Sequence, residues 1–133
     1  MSILGIGNDI IEIHRIAKNI ERYGHKFLDK IYTPDEQAYC LKHRDPARNF
    51  AGRFAAKEAI VKAFGTGFGS HISWTDIGIV NASSGKPSVQ FSSQLANKLL
   101  NSQVYISISH CRDYATAFAL WVNQKECDHP FEC

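Results

Sequence analysis

The stretch RFAAKEAIVKAFGTG, residues 53–67, predicts a helix that ends at Gly65, because a glycine commonly follows the last turn of a helix. The helix carries an apolar stripe that includes one carboxylate. A carboxylate directed toward protein must pair, protonate or bind a metal ion, because burial of an unpaired charge is costly. At about 100° per residue, the members of the stripe fall on one face: Ala47, Ala51, Phe54, Glu58 and Val61.

Two acidic residues are therefore the first candidates for a site. Glu58 has an alternative partner in Lys62, which follows four residues later in the favourable order for a helical ion pair. Asp9 ends the apolar segment ILGIGND, where a carboxylate beside glycines is also typical of a turn. If the fold brings Asp9 and Glu58 together, they form a hard oxygen site of the kind that holds Mg²⁺ with waters and substrate phosphates.

Basic residues surround the same helix. Arg53 and Lys57 share one face, and Lys62 flanks Glu58 on the other side. Such cations can orient a phosphate, although a solvated helix face is their more common role. The run GTGFG at residues 65–69 does not indicate a phosphate loop, because its glycines follow the end of a helix, where the dipole disfavours anions. It predicts a helix stop and a loop that can close over a ligand.

Helices are predicted mainly in the first half of the chain. After a first strand at residues 3–9, the spacing of Ile13, Ile16 and Ile20 predicts a helix that stops at Gly24. The segment TPDE, residues 33–36, is a capping box that opens a second helix, which extends to about residue 43. Asp45 and Pro46 then open the long helix that contains Glu58.

Strands are predicted mainly in the second half, at residues 74–80, 88–91, 104–109 and 114–122, with a short serine-capped helix in SSQLANKLLN. This order predicts an α+β fold with an antiparallel sheet, in a single domain over residues 1–122 with a polar tail over residues 123–133. His110 ends one of these strands. Its position is compatible with a general base, a phosphate ligand or a surface histidine.

The composition is that of an ordinary globular domain, with 44% hydrophobic and 21% charged residues among 133. No stretch is apolar enough to span a bilayer, and the N-terminus lacks the basic region and cleavage site of a signal peptide, so we expect a cytoplasmic location. The four cysteines are expected to be free thiols. Cys127, His129 and Cys133 lack the paired spacing of a metal cluster. The net charge of +2 does not indicate a nucleic-acid partner.

Three segments together resemble one family, the short 4′-phosphopantetheinyl transferases known as holo-[acyl-carrier-protein] synthases. They are GIGNDIIEIHRI at residues 5–16, FAGRFAAKEAIVKAFGTG at residues 50–67 and SISHCRDYATAFAL at residues 107–120. The resemblance extends from about Ile3 to Val122. Its central motif is specific, whereas the tail after Val122 has no counterpart in the family.

The resemblance implies a fold of that family and a reaction in fatty acid biosynthesis. Coenzyme A donates its 4′-phosphopantetheine group to a serine of apo acyl carrier protein, leaving adenosine 3′,5′-bisphosphate. The acids that hold Mg²⁺ in the family correspond to Asp9 and Glu58. The proton acceptor is either a water ordered by the metal and Asp9 or a carboxylate directly. The further residues implied to contact coenzyme A or its phosphates are Arg53, Lys57, Lys62, Gly65 and His110.

The resemblance also implies partners. Arg15, Lys18 and Arg22 form a basic stripe on the predicted first helix, which suits an acidic acyl carrier protein, although such a stripe is usually solvated surface. Members of the family are homotrimers with active sites between subunits. Neither a membrane nor a nucleic acid is expected as a partner.

Two other functions remain open from the sequence. One is a coenzyme-A- or nucleotide-binding module without catalysis. The other is a small RNA-binding α+β domain, which would show a steep salt dependence of binding. The aromatic residues fit a core better than a stacking surface.

Overall fold

The computed structural model describes residues 2–124. The predicted tail from residue 125 onward, with Cys127, His129 and Cys133, lies outside the described residues. The elements in chain order are β1 (Ser2–Glu12), α1 (Ile13–Tyr23), α2 (His25–Ile31), α3 (Pro34–Leu41), α4 (Pro46–Phe64), β2 (Ile77–Asn81), β3 (Pro87–Phe91), α5 (Ser93–Lys98), β4 (Ser102–His110) and β5 (Tyr114–Asn123).

Within residues 2–124 the strands form two antiparallel sheets, which confirms the predicted α+β class. The larger sheet has the order β1-β5-β4, so that the first strand of the chain pairs with the last. The strands β2 and β3 form a separate hairpin. Helix α4 lies against β1 and β5 and is the centre of the molecule. Its side chains are buried around most of its circumference, including Phe50, Ala55 and Ile60.

Small residues allow α4 to approach the large sheet closely. A Cβ atom at Gly5 would overlap the carbonyl oxygen of Ala63, and one at Gly7 would overlap the carbonyl oxygen of Ala59. On the neighbouring strand β5, alternate residues that face α4 are also small and buried: Ala115, Ala117 and Ala119. The glycines of β1 therefore serve close packing against the helix.

The predicted helix boundaries are largely confirmed. The hydroxyl of Thr33 accepts from the Glu36 amide, and the Glu36 carboxylate accepts from the Thr33 amide, which completes the capping box of α3. Gly24 ends α1. Gly65 ends α4 with a left-handed φ of 77°, a conformation that glycine adopts without strain. Asp45 occupies the N-cap of α4, but its side chain makes no capping hydrogen bond.

The structure differs from the prediction in one unpredicted helix and in one strand boundary. Helix α2 was not predicted, because its seven residues are too few for a clear periodicity. The expected strand at residues 74–80 begins only at Ile77. Residues Trp74–Asp76 instead form a 3₁₀ turn, because the Asp76 carboxylate accepts from both the amide and the hydroxyl of Ser73 and so favours a tight turn.

The face of the large sheet that points away from α4 carries a broad set of exposed apolar side chains. An exposed apolar surface of this extent is typical of a protein–protein contact. Its members lie on β1, β4 and β5, and they include Leu4, Ile6, Ile10, Tyr105, Tyr114 and Phe118. Within residues 2–124, no helix has the length and hydropathy needed to cross a membrane.

Candidate active site

Asp9 lies on the side of β1 that faces α4. It follows Gly7 by two residues, and alternate residues of a strand share one face, so the gap that accommodates α4 also directs Asp9 toward that helix. Lys62 Nζ donates to Asp9 Oδ1 at 2.9 Å and to the carbonyl oxygen of Asn8 at 3.1 Å. The Asp9 side chain is only 16% exposed. Asp9 is therefore held against α4 by Lys62 of that helix.

Glu58 is half-buried on α4, one turn before Lys62. Burial raises the pKa of Glu58 above its ordinary value, the neighbouring Asp9 raises it further, and Lys62 opposes both effects. Both carboxylates neighbour Lys62: Asp9 Oδ1 lies 2.9 Å from Lys62 Nζ, and Glu58 precedes Lys62 by one helical turn. Within the described residues, Lys62 forms its ion pair with Asp9 rather than with Glu58, so the simple helical pair predicted as an alternative does not form.

Asp9 and Glu58 are candidates for an oxygen-rich site with few protein ligands, because both lie beside Lys62. In residues 2–124, no group of three or more His, Cys, Asp or Glu side chains is arranged to hold a metal ion. A pair of carboxylates is nevertheless the usual protein contribution to a Mg²⁺ site, since waters and substrate phosphates supply the remaining ligands. Burial and the neighbouring Asp9 raise the pKa of Glu58, and a cation bound beside the two carboxylates would favour their ionised forms.

Lys57 does not belong to this site, which corrects its predicted role as a cation on the coenzyme A phosphates. Its side chain has no exposed area, and Nζ donates to the Ile31 carbonyl at 2.7 Å, to Glu36 Oε1 at 2.6 Å and to the Trp74 carbonyl at 3.2 Å. An ammonium group has three N–H donors, and all three have partners here. Lys57 therefore joins α4 to α2, α3 and the turn before β2.

Arg53 and His110 lie together in a second part of the molecule. They line a cavity of about 240 Å³ between α4, β4 and the β2–β3 hairpin, and Arg48 lines it as well. The Nε atoms of Arg48 and Arg53 are buried without a hydrogen-bond partner among the described residues. None of the residues of the 2–124 segment that line this cavity carries a carboxylate. A pocket with two arginines, a histidine and no acid fits an anion.

The cavity is separate from the pair of carboxylates, because neither Asp9 nor Glu58 lines it. On α4, Arg53 and Glu58 are five residues apart, which at about 100° per residue places them roughly 140° apart around the helix axis. The chain thus presents an acidic half-site, at Asp9 and Glu58, and a basic half-site, at Arg53, on different faces of α4.

The glycine-rich loop after Gly65 starts one turn beyond Lys62 and is anchored by aromatic stacking. Phe68 stacks on Trp74 with ring centroids 3.8 Å apart, and Trp74 stacks on Phe54 of α4 at 4.9 Å. Phe54 lies one helical turn before Glu58. The stack therefore connects the loop to the α4 surface that carries the predicted acid.

The three basic residues of the predicted partner surface lie on α1, and all three are exposed: Arg15, Lys18 and Arg22. Their spacing of three and four residues places them on one face. The opposite face of α1 is buried through Ile13 and Ile16.

Several residues of the basic cavity were not identified from the sequence. Arg48 lies on the same helix as Arg53, so a search for basic residues one to two turns away would have found it. Tyr39 and Asn81 contact Arg53 across 14 and 28 residues of sequence, and no local pattern indicates such contacts.

The chain is similar to known proteins over most of its length. The family model described as the 4′-phosphopantetheinyl transferase superfamily matches residues 5–119. A holo-[acyl-carrier-protein] synthase of Protochlamydia amoebophila is 57% identical over 118 residues, which are 89% of this chain and 97% of that protein.

Solved structures give the same result. The holo-[acyl-carrier-protein] synthase of Neisseria meningitidis matches with a TM-score of 0.85 and 35% identity, over 91% of this chain and 99% of that one. The holo-(acyl-carrier-protein) synthase of Bacillus anthracis, in complex with CoA (3′,5′-ADP), matches with a TM-score of 0.77 and 37% identity, over 90% of this chain and 96% of that one. The chain therefore belongs to the 4′-phosphopantetheinyl transferase superfamily, among its holo-[acyl-carrier-protein] synthases.

Proposed function

We propose a separate role for each residue of the candidate site in the transfer of 4′-phosphopantetheine. The enzyme transfers 4′-phosphopantetheine from coenzyme A to a serine hydroxyl of apo acyl carrier protein. The serine oxygen bonds to the phosphorus that carries pantetheine, and the bond from that phosphorus to the bridging oxygen breaks, which releases adenosine 3′,5′-bisphosphate. The observation that carries this assignment is the meeting of Asp9 and Lys62 beside Glu58 on α4.

Asp9 and Glu58 are the residues that would hold Mg²⁺. Both are carboxylates, they lie close enough for one to raise the pKa of the other, and hard oxygen donors suit this ion. When bound, Mg²⁺ offsets the negative charge of the pyrophosphate and of the leaving group. Aspartate and glutamate here must both be ionised to bind the ion, so the raised pKa of Glu58 opposes binding in acid.

Lys62 and Asp9 are assigned to the two reacting groups, the pyrophosphate of coenzyme A and the serine hydroxyl. Lys62 is 53% exposed at its side chain although it is paired with Asp9, so its ammonium can also reach a phosphate oxygen of the substrate. The pyrophosphate of coenzyme A already carries negative charge, and a fixed cation beside it stabilises further charge as the phosphorus–oxygen bond breaks. We assign the serine proton to a water ordered beside Asp9, with direct transfer to a carboxylate as the alternative.

The basic cavity suits the nucleotide end of coenzyme A, and we assign the 3′-phosphate to it. Arg53, His110 and Arg48 line this cavity, and no acid of the described part of the chain lines it. A phosphomonoester carries nearly two negative charges at neutral pH and presents three acceptor oxygens, which matches several convergent N–H donors. Gly65, at the exposed start of the anchored loop, is assigned to the edge of the substrate cleft.

The separation of the two half-sites supports a homotrimer with active sites between subunits. In one protomer, the acidic and basic half-sites lie on different faces of α4, so a cleft between two copies can bring them to opposite ends of one coenzyme A. The exposed apolar face of the large sheet offers the contact area that such an assembly needs.

The acyl carrier protein is expected at α1. Its exposed stripe of Arg15, Lys18 and Arg22 attracts an acidic partner and speeds the encounter with it. We place the reaction in the cytoplasm, and the free thiols of Cys40 and Cys111 are in keeping with a reducing compartment.

The experiment that tests the function incubates the purified protein with coenzyme A, Mg²⁺ and apo acyl carrier protein and measures the mass of the carrier. The expected result is a mass gain of one phosphopantetheine group that disappears when EDTA replaces Mg²⁺. A carrier of unchanged mass, together with intact binding of coenzyme A, would instead indicate a binding module without catalysis.

A further inference from the structure

The Arg53 guanidinium is held in place by two neutral groups. Its central carbon lies 4.4 Å from the centroid of the Tyr39 ring, and Nη2 donates to Asn81 Oδ1 at 2.5 Å. The Asn81 amide is itself oriented, because its Nδ2 donates to the Gly85 carbonyl at 2.9 Å. This second bond directs the amide oxygen toward Arg53.

These contacts orient Arg53 without neutralising it. An aromatic ring attracts a cation through its quadrupole, and an amide oxygen accepts a hydrogen bond, but neither carries a negative charge. Within residues 2–124, no carboxylate lies within ion-pair distance of Arg53. The residue is only 4% exposed, and its Nε has no partner among the described residues. A buried, oriented and uncompensated cation is prepared for an anion.

We propose that Tyr39 is a positioning residue that, together with Asn81, fixes the Arg53 guanidinium for the 3′-phosphate of coenzyme A. The proposal rests on the proposed function, which assigns this phosphate to the cavity. Tyr39 lines the cavity beside Arg48 and His110, but its part is to hold Arg53. It thereby determines how strongly the enzyme prefers coenzyme A over dephospho-coenzyme A, which lacks only the 3′-phosphate.

The test compares kcat/KM for coenzyme A with kcat/KM for dephospho-coenzyme A in the assembled enzyme. Tyr39→Leu removes the aromatic face and is expected to lower the preference for coenzyme A about three- to tenfold, with KM for dephospho-coenzyme A nearly unchanged. Tyr39→Phe retains the face and is expected to keep the preference within about twofold of wild type. A loss of packing alone would change both substrates equally.

A second variant does not depend on the fold around Tyr39. Asn81→Asp places a carboxylate where a neutral oxygen now accepts from Arg53, so an internal ion pair competes with the phosphate. The expected result is a loss of preference of roughly tenfold or more, because charged partners bind Arg more strongly than neutral ones. The matched control for Tyr39→Leu is Tyr23→Leu, which removes an aromatic ring that lies 5.4 Å from the exposed Arg22 guanidinium. This control is expected to leave the preference for coenzyme A over dephospho-coenzyme A unchanged.

Calorimetry with adenosine 3′,5′-bisphosphate and with AMP separates this proposal from the proposed function. The wild type is expected to bind the bisphosphate more tightly than AMP, and Tyr39→Leu is expected to reduce that difference. If the wild type binds in this way and Tyr39→Leu reduces the difference, but no carrier is modified, the proposed function fails and the role of Tyr39 stands. If the carrier is modified but neither Tyr39→Leu nor Asn81→Asp changes the preference, the role of Tyr39 is refuted.

Discussion

Helix α4 contains two lysines, five residues apart, and each pairs with an acid from another element, yet the two pairs differ in almost every physical respect. Lys57 and Glu36 meet at 2.6 Å with side chains that are 0% and 1% exposed. Lys62 and Asp9 meet at 2.9 Å with side chains that are 53% and 16% exposed. We refer to them as the buried pair and the open pair.

Both members of the buried pair already have hydrogen-bond partners at their charged atoms. All three donors of Lys57 are used, and Glu36 accepts from the Thr33 amide at Oε1 and from the Ile79 amide at Oε2 in addition to Lys57. Among the described residues, the open pair retains donors and acceptors without partners, and it has a third charge, Glu58, beside it. The buried pair, with all its hydrogen bonds made, therefore stabilises the fold. The open pair still has groups that can bind a substrate or a metal ion.

The largest effect on stability is expected from breaking the buried pair. Lys57→Ala leaves the Glu36 carboxylate buried without its counter-charge, which should lower the free energy of unfolding by about 3–5 kcal/mol. Urea denaturation followed by circular dichroism measures this cost. A loss below about 1 kcal/mol would show that the buried pair is not what fixes α4 to α3.

The open pair is expected to respond in the opposite manner. Lys62→Ala should change the free energy of unfolding by about 1 kcal/mol or less, since partly exposed pairs contribute little. The transfer rate should fall by a factor of about 10² because a cation beside the transferred phosphate is lost. Denaturation and carrier-modification rates are measured on the same preparation. A variant that loses stability but keeps its rate would reverse the assignment of the two pairs.

The next effect concerns the close packing that brings the open pair together. Gly7→Ala introduces a Cβ that overlaps the carbonyl oxygen of Ala59, so β1 must move away from α4. The expected cost is about 1–3 kcal/mol of stability, as for other overpacked sites, together with a weaker Asp9–Lys62 contact. Gly69→Ala is the control, because a Cβ there meets nothing within 4 Å. Equal stability of the two variants would contradict the packing role of Gly7.

The smallest effect is on the titration of Glu58 in the metal-free protein. Its pKa is raised above 4.5 by burial first and by Asp9 second, so Asp9→Asn should lower the pKa of Glu58 while leaving it above the ordinary value. A raised pKa disfavours the ionised carboxylate in the folded protein. Folding stability should therefore decrease slightly as the pH rises through the window between the ordinary pKa of glutamate and the raised pKa of Glu58. Glu58→Gln should abolish that decrease.

Carboxyl NMR signals measured against pH follow this titration, and denaturation above and below the window measures the stability. An unchanged pKa of Glu58 in Asp9→Asn would show that the two carboxylates do not interact.

The sequence predicted the elements whose signals are local. The capping box at Thr33 and Glu36 and the glycine stop at Gly65 depend on neighbouring residues, and both were confirmed. The approach of Asp9 to α4 was expected from the family resemblance, and the inward direction of Glu58 from the helical period. The glycines of β1 supply the physical reason for the approach.

The role of Lys57 was not predictable in the same way. Its partner Glu36 is 21 residues away and was already accounted for by the capping box, so nothing local indicated a second role. Arg53 and His110 of the basic cavity were predicted, but the contact of Arg53 with Asn81 was missed for a similar reason. These two residues are 28 residues apart and meet only through the packing of the β2–β3 hairpin on α4. Long-range contacts of polar side chains depend on the tertiary structure rather than on sequence periodicity.

The most direct test of the central claim measures phosphopantetheine transfer by Asp9→Asn and Glu58→Gln, each variant having first been shown to be folded. Both substitutions keep the size of the side chain and remove its charge. We expect each variant to lose about 10³-fold or more of the transfer rate while the Lys57–Glu36 pair and the fold remain intact. Near-wild-type transfer by either folded variant would contradict a catalytic site built on these two acids.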